Sequence, residues 1–488
     1  MSSNPAAVIV LAAGAGTRMK SATPKVLHRI GGRSLVGHVL TTARGLAPDH
    51  LVTVVRHERD AVVAHIAELD PEAIIADQDE IPGTGRAVQC ALESLDAATS
   101  APVAGAIVVL AGDVPLLDVG TLAALLEVHH ADGNAVTALS TEVDDPTGYG
   151  RIVRDADGAV AAIVEEKDAT PEQRSIGEIN ASIYVFDAVA LRDGLGSVGR
   201  DNAQGEVYLT DVLALARESG KRVAAVIAED SILVEGVNDR SQLATLGAEL
   251  NRRILQRWML DGVTIVDPAT TWVDAEVELA PDVTLLPGTQ LHGATVVATG
   301  AVIGPDTTLT DVEVGENATV ARTHGSLAVI GPQASVGPFS YLRPGTVLGE
   351  AGKIGAYVET KNAEIGAGSK VPHLSYIGDA RIGEHTNIGA ASVTLNYDGT
   401  HKHRTTIGSH VKIGGDTMLV APVTVGDGAY TGAGAVLRRD VPAGALAVTE
   451  GKQRTIEGWV TSRYPDGAAA KAALAAGEQP TIESEDRA

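Results

Sequence analysis

The chain is short of several things, and each shortage excludes something. A single cysteine among 488 residues, Cys90, rules out an internal disulfide and fits a reducing cytoplasm. No apolar run approaches the ~20 residues that a membrane span requires, so the apolar start AAVIVLAAGAG reads as a buried strand. Nor does a basic stretch precede it, as one would in a secretory signal. Basic residues are outnumbered, 38 Lys and Arg against 62 Asp and Glu, for a net charge of -24. Such a surface repels nucleic acid and anionic membrane and points to small-molecule partners, with a local basic pocket for any anionic substrate. Aromatic residues make up only 3%. Glycine, in contrast, numbers 54, well above the ~7% of an average chain. Hydrophobic content of 44% is that of a globular protein, and the length allows two or three domains with cores of their own.

What is present in the second half is a repeat. Ile330, Val336, Leu342, Leu348 and Ile354 stand six apart, as do Val371 and Ile377, Ile382 and Ile388, and the series Ile407, Ile413, Leu419, Val425, Thr431, Leu437. Two places before most of them the residue is small: Ala328, Ala334, Ser340, Thr346, Gly352, Ser369, Ser375, Thr386, Thr405, Ala429, Ala435. Alternate side chains of a strand share a face, so each hexad offers one large and one small inward residue. Glycine after the large residue suits a corner. Three sides of six residues close one triangular coil, and stacked coils bury a continuous core. This is a parallel β-helix of hexapeptide repeats, beginning near Val263. The register breaks at NYDGTHKHRT, Asn396 to Thr405, which reads as a loop extruded from one coil.

The first half alternates strand-like and helix-like segments, the mark of an α/β sheet. AAVIVLAA, LVTVV, AIVVLAG, AVTALST, ASIYVF and RVAAVIA are strand candidates; GTGRAVQCALESL and VGTLAALLEVHH suit helices. Leu243, Leu246, Leu250, Ile254 and Trp258 follow helical spacing and define a connecting helix. The expected organisation is an α/β domain over 1–237, a linker helix over 238–262, the β-helix over 263–463 and a disordered tail over 464–488.

In open α/β sheets ligands bind beyond the carboxyl ends of the strands. LAAGAGTRM lies at one such end, and AGDVP at another. Gly14 and Gly16 do not complete a dinucleotide fingerprint, because Met19 stands where its third glycine belongs, and no G-K-[ST] follows to make a Walker loop. GAG alone is best read as a tight turn. Together with Arg18 and Lys25 it favours polyphosphate binding. Asp113, ending a strand, suits Mg²⁺ or, equally, a turn or helix cap.

The motifs LAAGAGTRM, TPK, GTG, AGDVPLL, GYGRIV, IVEEKDAT, EIN and GVND stand in the order seen in sugar-1-phosphate nucleotidyltransferases. With the hexapeptide half, the chain resembles the bifunctional N-acetylglucosamine-1-phosphate uridyltransferase / glucosamine-1-phosphate acetyltransferases of bacterial wall synthesis. The resemblance implies a Rossmann-like α/β nucleotidyltransferase domain followed by a left-handed parallel β-helix. Leu11, Ala12, Ala13 and Gly14 would hold the uracil nucleotide with Gln78, Gly83 and Thr84. Arg18 and Lys25 would neutralise triphosphate charge, and Gly150, Glu165 and Asn180 would line the amino-sugar pocket. Asp113 and Asn238 would bind Mg²⁺. Two positions depart from the family pattern: Arg86 where His is usual, and Ser182 where Gly is common.

His373, in VPHLSYIGDARIG, lies two residues past the inward Val371 and so near a corner. A solvated corner histidine is the plain reading. Against it stand Tyr376, Asn387 and the loop residues Asn396 and Tyr397, with Arg343 and Lys361 one coil-length of 18 residues apart. An amine attacks a thioester only as its free base, and an imidazole takes a proton near neutral pH. The resemblance assigns His373 as that base, with Arg343, Lys361, Tyr376 and Asn387 binding glucosamine-1-phosphate. It gives the acetyl-CoA contacts to Ala390, Asn396, Tyr397, Gly415 and Ala433. Gly415 stands where the family has a serine, and Glu450 where a basic residue is common, with Lys452 or Arg454 as possible substitutes. The resemblance further implies a cytoplasmic homotrimer using acetyl-CoA, UTP and Mg²⁺, with no nucleic-acid or membrane partner. The alternative is a single-activity nucleotidyltransferase whose β-helix is structural.

Overall fold

The computed structural model describes residues 4–449, 451 and 453–477. The chain forms two compact units, 1–351 and 352–488.

The first unit opens with an α/β sheet. Its strands and helices run β1 (Ala7–Leu11), α1 (Leu35–Gly45), β2 (His50–Val55), α2 (Arg59–Leu69), β3 (Ile74–Asp77), α3 (Thr84–Thr99), β4 (Ala106–Ala111), α4 (Val119–Asp132), β5 (Val136–Glu142), β6 (Arg151–Arg154), β7 (Val160–Val164), β8 (Glu178–Asp187), α5 (Ala188–Leu195), α6 (Asp211–Glu218), β9 (Val223–Ile227) and α7 (Arg240–Leu260). The sheet order is β9-β5-β8-β4-β1-β2-β3. β8 alone among these runs antiparallel to its neighbours. All six strand candidates fall on sheet strands. β3 and the β6–β7 hairpin escape pattern reading because they are short, and the hairpin intersperses apolar residues with charges.

Period-two alternation sends Ile9, Val52, Val54, Ile107 and Val109 into one core and Val8, Val10, Leu51, Val108 and Leu110 into the other. Both sheet faces are therefore covered, and the strand ends remain for binding. Chain order reverses beside β1, with β2 on one side and β4 on the other. The crevice at such a switch point lies over the carboxyl ends of β1 and β4.

His129, near the end of α4, is 4% exposed, and its Nδ1 lies 3.0 Å from Thr137 Oγ1. Burial pushes its pKa down to about 4. In the unfolded chain the group titrates near 6.5. Between these values the unfolded chain takes up a proton that the folded one refuses, so stability falls as pH falls through that window. At pH 4.5 the loss from this one group is about 2 kcal/mol relative to pH 7. Urea unfolding at both pH values is expected to show it, and His129→Gln to reduce it; an unchanged acid slope in the variant would remove His129 from the account.

Helix α7 covers the connecting segment. Asp239 caps it, accepting hydrogen bonds from the backbone of Ser241 and Gln242, each at 2.9 Å. Buried Asn251 donates to Thr271 O (2.8 Å) and accepts from Val273 N (3.0 Å), tying the helix to the first coil. Parallel coils start at Thr264, with Gln290 on Thr308, eighteen residues on, and later steps of sixteen or seventeen.

In the second unit Lys353 pairs with Lys370, and Lys370 with Asn387. Then Ala380 meets Thr405 and Asn387 meets Lys412, twenty-five residues on. The surplus is the loop around Asn396–Arg404, extruded as expected. The large hexad residues Ile354, Val371, Ile377, Ile388 and Leu419 are fully buried. Two inward hydroxyls are satisfied at corners, Ser369 donating to Gly383 O (2.6 Å) and Thr386 to Gly408 O (2.8 Å), whereas buried Thr405 Oγ1 has no partner among the described residues.

The expectation of disorder from 464 needs correction. A helix spans Ala468–Ala475, with Ala470 buried, because an alanine-rich run is the best helix former available. The remainder of the proposed tail, 478–488, together with Glu450 and Lys452, lies outside the described residues.

Candidate active sites

Beyond β1 and β4 the two carboxyl-terminal turns are pinned to the sheet. Ala12 N donates to Val54 O, and Gly112 N to Leu11 O, each at 2.9 Å. Between them opens a cleft of about 410 Å³, into which Leu11, Ala13, Gly14, Lys25, Gln78, Gly83, Thr84, Asp113 and Glu165 all face. Gly14 has free space on its Cβ side, which leaves its backbone open to a ligand. Gly16 is different. Its φ is +60°, and a Cβ there would sit 2.5 Å from Lys25 Cβ. Gly16→Ala is therefore expected to displace Lys25 and to cut nucleotidyl transfer at least tenfold, read as pyrophosphate release. Wild-type rates in that variant would show that Lys25 need not be where it is.

Lys25 is the hub of the polar end. Its ammonium is ion-paired to Asp113 and donates to Asn238 Oδ1 at 3.3 Å; Arg18 donates to the same oxygen at 2.8 Å. Val237 N, donating to Asp113 O at 2.9 Å, holds GVND against AGD. A carboxylate and an amide oxygen thus converge on one cationic centre. Mg²⁺ takes one or two protein oxygens, with phosphates and waters completing its shell, so these two donors fit it. Among the described residues no group of three or more His, Cys, Asp or Glu is gathered for a metal.

At the other end, Glu165 accepts from Thr210 Oγ1 (3.3 Å), and burial pushes its pKa up, opposed by that hydrogen bond. Asn180 is buried and occupied internally: it donates to Tyr184 Oη (2.7 Å) and accepts from Ser182 N (3.1 Å), while its own N–H bonds Gly150 O (2.8 Å). Asn180, Gly150, Ala12 and Arg18 support the cleft and are not among the residues facing it. Arg86 is held by Asp79 (2.7 Å) and Glu93 (2.9 Å) and does not face the cleft, whereas Ser182, at φ +58°, does. Sequence reasoning missed Arg56, His57, Glu206 and Tyr184, which also line it. Arg56 and His57 follow β2 directly, so the strand-end rule that found Gly14 would have found them too.

In the second unit His373 ends the strand Lys370–His373, and Leu374, at φ +50°, turns the corner after it. The backbone there is fixed: His373 O accepts from Ala391 N (3.2 Å) and Ser375 Oγ (2.8 Å). The imidazole itself is exposed, and no residue described in the structure hydrogen-bonds it.

Nearby, Asp379 accepts from Asn362 (2.8 Å) and from buried Asn396 (2.6 Å). Burial works against its charge, but these two amides, with Lys361 and Lys402, outweigh it and hold its pKa low. Asn396 Nδ2 also reaches Tyr376 Oη at 3.4 Å. Ala390, Gly415 and Ala433 follow one another up one corner, where Asp416 N donates to Ala390 O (2.7 Å) and Gly434 N to Gly415 O (2.8 Å). Asn387 and Tyr397 are exposed, and the Tyr397 hydroxyl donates to Gly399 O (2.6 Å). His403 is taken up by Asp398 (2.7 Å). Arg343 belongs to the first unit, on the turn after the strand Ser340–Leu342.

A switch-point cleft lined by glycines, a lysine and a carboxylate, on a chain that continues as hexapeptide coils, defines a nucleotidyltransferase joined to a hexapeptide transferase. The family model for MobA-like NTP transferase domains matches residues 8–175, and that for bacterial transferase hexapeptide repeats matches 404–439. Over 472 residues the chain is 65% identical to the bifunctional protein GlmU of Pseudarthrobacter chlorophenolicus, covering 97% of this chain and 96% of that one. The GlmU proteins of Kineococcus radiotolerans and Paenarthrobacter aurescens are 64% and 62% identical, over 98% and 99% of this chain and 96% and 97% of theirs. The chain belongs to the family of bifunctional GlmU proteins.

Proposed function

We propose that the chain carries out two consecutive steps of UDP-N-acetylglucosamine synthesis. The second unit transfers acetyl from acetyl-CoA to the amine of glucosamine-1-phosphate. The first unit then transfers uridylyl from UTP to N-acetylglucosamine-1-phosphate and releases pyrophosphate. The observation that carries the reading is the coexistence, on one chain, of the Lys25–Asp113–Asn238 cluster in a strand-end cleft and an unengaged His373 at a β-helix corner.

In the first reaction the amine of the sugar attacks the thioester carbonyl. His373 takes the proton that the nitrogen sheds, and the thiolate departs as CoA. Tyr376, Asn387 and Lys361 hold the sugar phosphate; Ala390, Asn396, Tyr397, Gly415 and Ala433 border the acyl donor. In the second reaction a phosphate oxygen attacks the α-phosphorus of UTP in line, and the bond to pyrophosphate breaks. Positioning and charge neutralisation supply most of the acceleration. Lys25 meets the triphosphate, with Arg18 adding positive charge from behind through Asn238, while Leu11, Ala13, Gly14, Gln78, Gly83 and Thr84, with Ala12 beneath them, take the nucleoside. Glu165 lines the amino-sugar end, and Gly150 and Asn180 shape it from behind. Asp113 and Asn238 would hold Mg²⁺, which neutralises charge on the phosphates when bound. No helix among the described residues is long and apolar enough to cross a membrane, and we place the enzyme in the cytoplasm as a homotrimer of hexapeptide coils.

The test supplies glucosamine-1-phosphate, acetyl-CoA, UTP and Mg²⁺, and follows free thiol and pyrophosphate separately, with thymidine triphosphate as a parallel arm. Both products should appear, thiol first, and Asp113→Ala should remove pyrophosphate alone. Pyrophosphate from N-acetylglucosamine-1-phosphate with no thiol from any amino-sugar phosphate would make the β-helix a scaffold.

A further inference from the structure

One face of the second unit's coils carries three lysines, flanking Asn387, to which neither reaction gives a role. Lys353 pairs in register with Lys370, Lys370 with Asn387, Asn387 with Lys412, and Lys412 with Tyr430. Each is the outward residue of its short strand, opposite the buried Ile354, Val371, Ile388, Ile413 and Thr431, and all five are exposed. Strands stack about 4.8 Å apart, so three lysines and one asparagine fall in a straight row roughly 14 Å long. Like charges directly opposite in a sheet destabilise it, and lysine is a poor strand former. An acidic chain with 62 carboxylate residues has ample means to pair them, yet among the described residues none of the three lysines makes an ion pair; Lys412 rests 5.1 Å from the centre of the Tyr430 ring. The row also has a direction. Lys370 begins the strand that ends at His373, about 10 Å away along the extended chain.

We infer that Lys353, Lys370 and Lys412 form a cationic strip that captures the phosphate-rich end of the acyl donor and delivers its thioester to the His373 corner. This rests on the acetyl-transfer reading above and adds the residues that draw the donor in. With a net charge of -24 the protein repels a coenzyme bearing a diphosphate and a further phosphate, so capture requires a local reversal of field. Three unpaired ammonium groups on a flat, rigid face supply one. Because they touch neither the amine nor the carbonyl, they act on encounter and binding and not on the chemical step.

The experiment uses the full chain with Lys353, Lys370 and Lys412 replaced together by glutamine. Expected at about 20 mM salt is a roughly tenfold rise in KM for acetyl-CoA, with kcat and pyrophosphate release unchanged, the difference closing by about 300 mM as screening shortens the field. Calorimetric titration with coenzyme A alone should show the same loss, and dephospho-coenzyme A a smaller one. An unchanged KM and salt slope would overturn the proposal. So would a rise confined to glucosamine-1-phosphate, which would give the strip to the sugar, or a change of oligomeric state by light scattering with donor capture intact, which would make the face an interface between copies. If wild type binds coenzyme A but releases no thiol, the acetyl-transfer reading fails while the titration still tests the strip.

Discussion

Replacing His373 by alanine should slow acetyl transfer by about 10²–10⁴-fold, the usual worth of a general base, or roughly 3–5.5 kcal/mol of barrier. The reason lies in the substrate. At neutral pH the amino sugar is largely protonated, and on attack its nitrogen must shed a further proton, which the imidazole takes. Because the side chain is exposed and its ring bonds to no described residue, the substitution removes nothing from the fold, and stability should change by under about 0.5 kcal/mol. The measurement is thiol release at saturating substrates beside pyrophosphate release from N-acetylglucosamine-1-phosphate. The second rate should not move. Thiol release within tenfold of wild type would show that water or another group takes the proton.

Arg151→Ala should destabilise the first unit strongly, by roughly 3 kcal/mol, because it removes a buried guanidinium from a half-buried carboxylate and two carbonyls. Arg151 is 1% exposed. Its guanidinium pairs with Glu166 (2.7 Å), donates to Tyr149 O and reaches Arg174 O at 3.3 Å. Truncation leaves those carbonyls without a donor and Glu166 with only Arg174, at 4.0 Å. The residues concerned frame the amino-sugar end of the cleft, since Gly150 precedes Arg151 and Glu165 precedes Glu166. The chemical denaturation midpoint should fall, and in the protein that remains folded KM for the sugar phosphate should rise more than kcat falls. Lysine should not rescue, because one ammonium does not reproduce the fork. A midpoint unchanged in Arg151→Ala would show the network to be energetically idle.

Arg151 also shows where reading the chain stopped short. GYGRIV was recognisable as a motif, but nothing in it says that the arginine turns inward, because burial of a charge depends on partners supplied by Glu166, Tyr149 and Arg174. Asn180 gives the opposite lesson. Assigned by motif to the sugar pocket, it bonds Tyr184 and Ser182 internally, a contact that the motif does not announce. Arg56 and His57 were legible as residues beyond a strand's carboxyl end; that they share a cleft with Gly14 follows from β2 lying beside β1.

By itself the sequence determined the elements whose signal is periodic or covalent. The six-residue repeat determined the coils and the loop at Asn396–Arg404, since a period of two within a period of six leaves one way to bury a face. The apolar runs determined six of the sheet strands, and the spacing of Leu243, Leu246, Leu250, Ile254 and Trp258 determined α7, because both periodicities act over a few residues. Tertiary structure alone decided which charges meet: that Lys25 sits between Asp113 and Asn238, that Arg86 is drawn to Asp79, and that Lys353, Lys370 and Lys412 share one row. Those residues stand from 7 to more than 200 positions apart. Their attraction or repulsion depends on distances that only the sheet order and the coil register set, and a cation's use follows from the partner it is given or denied.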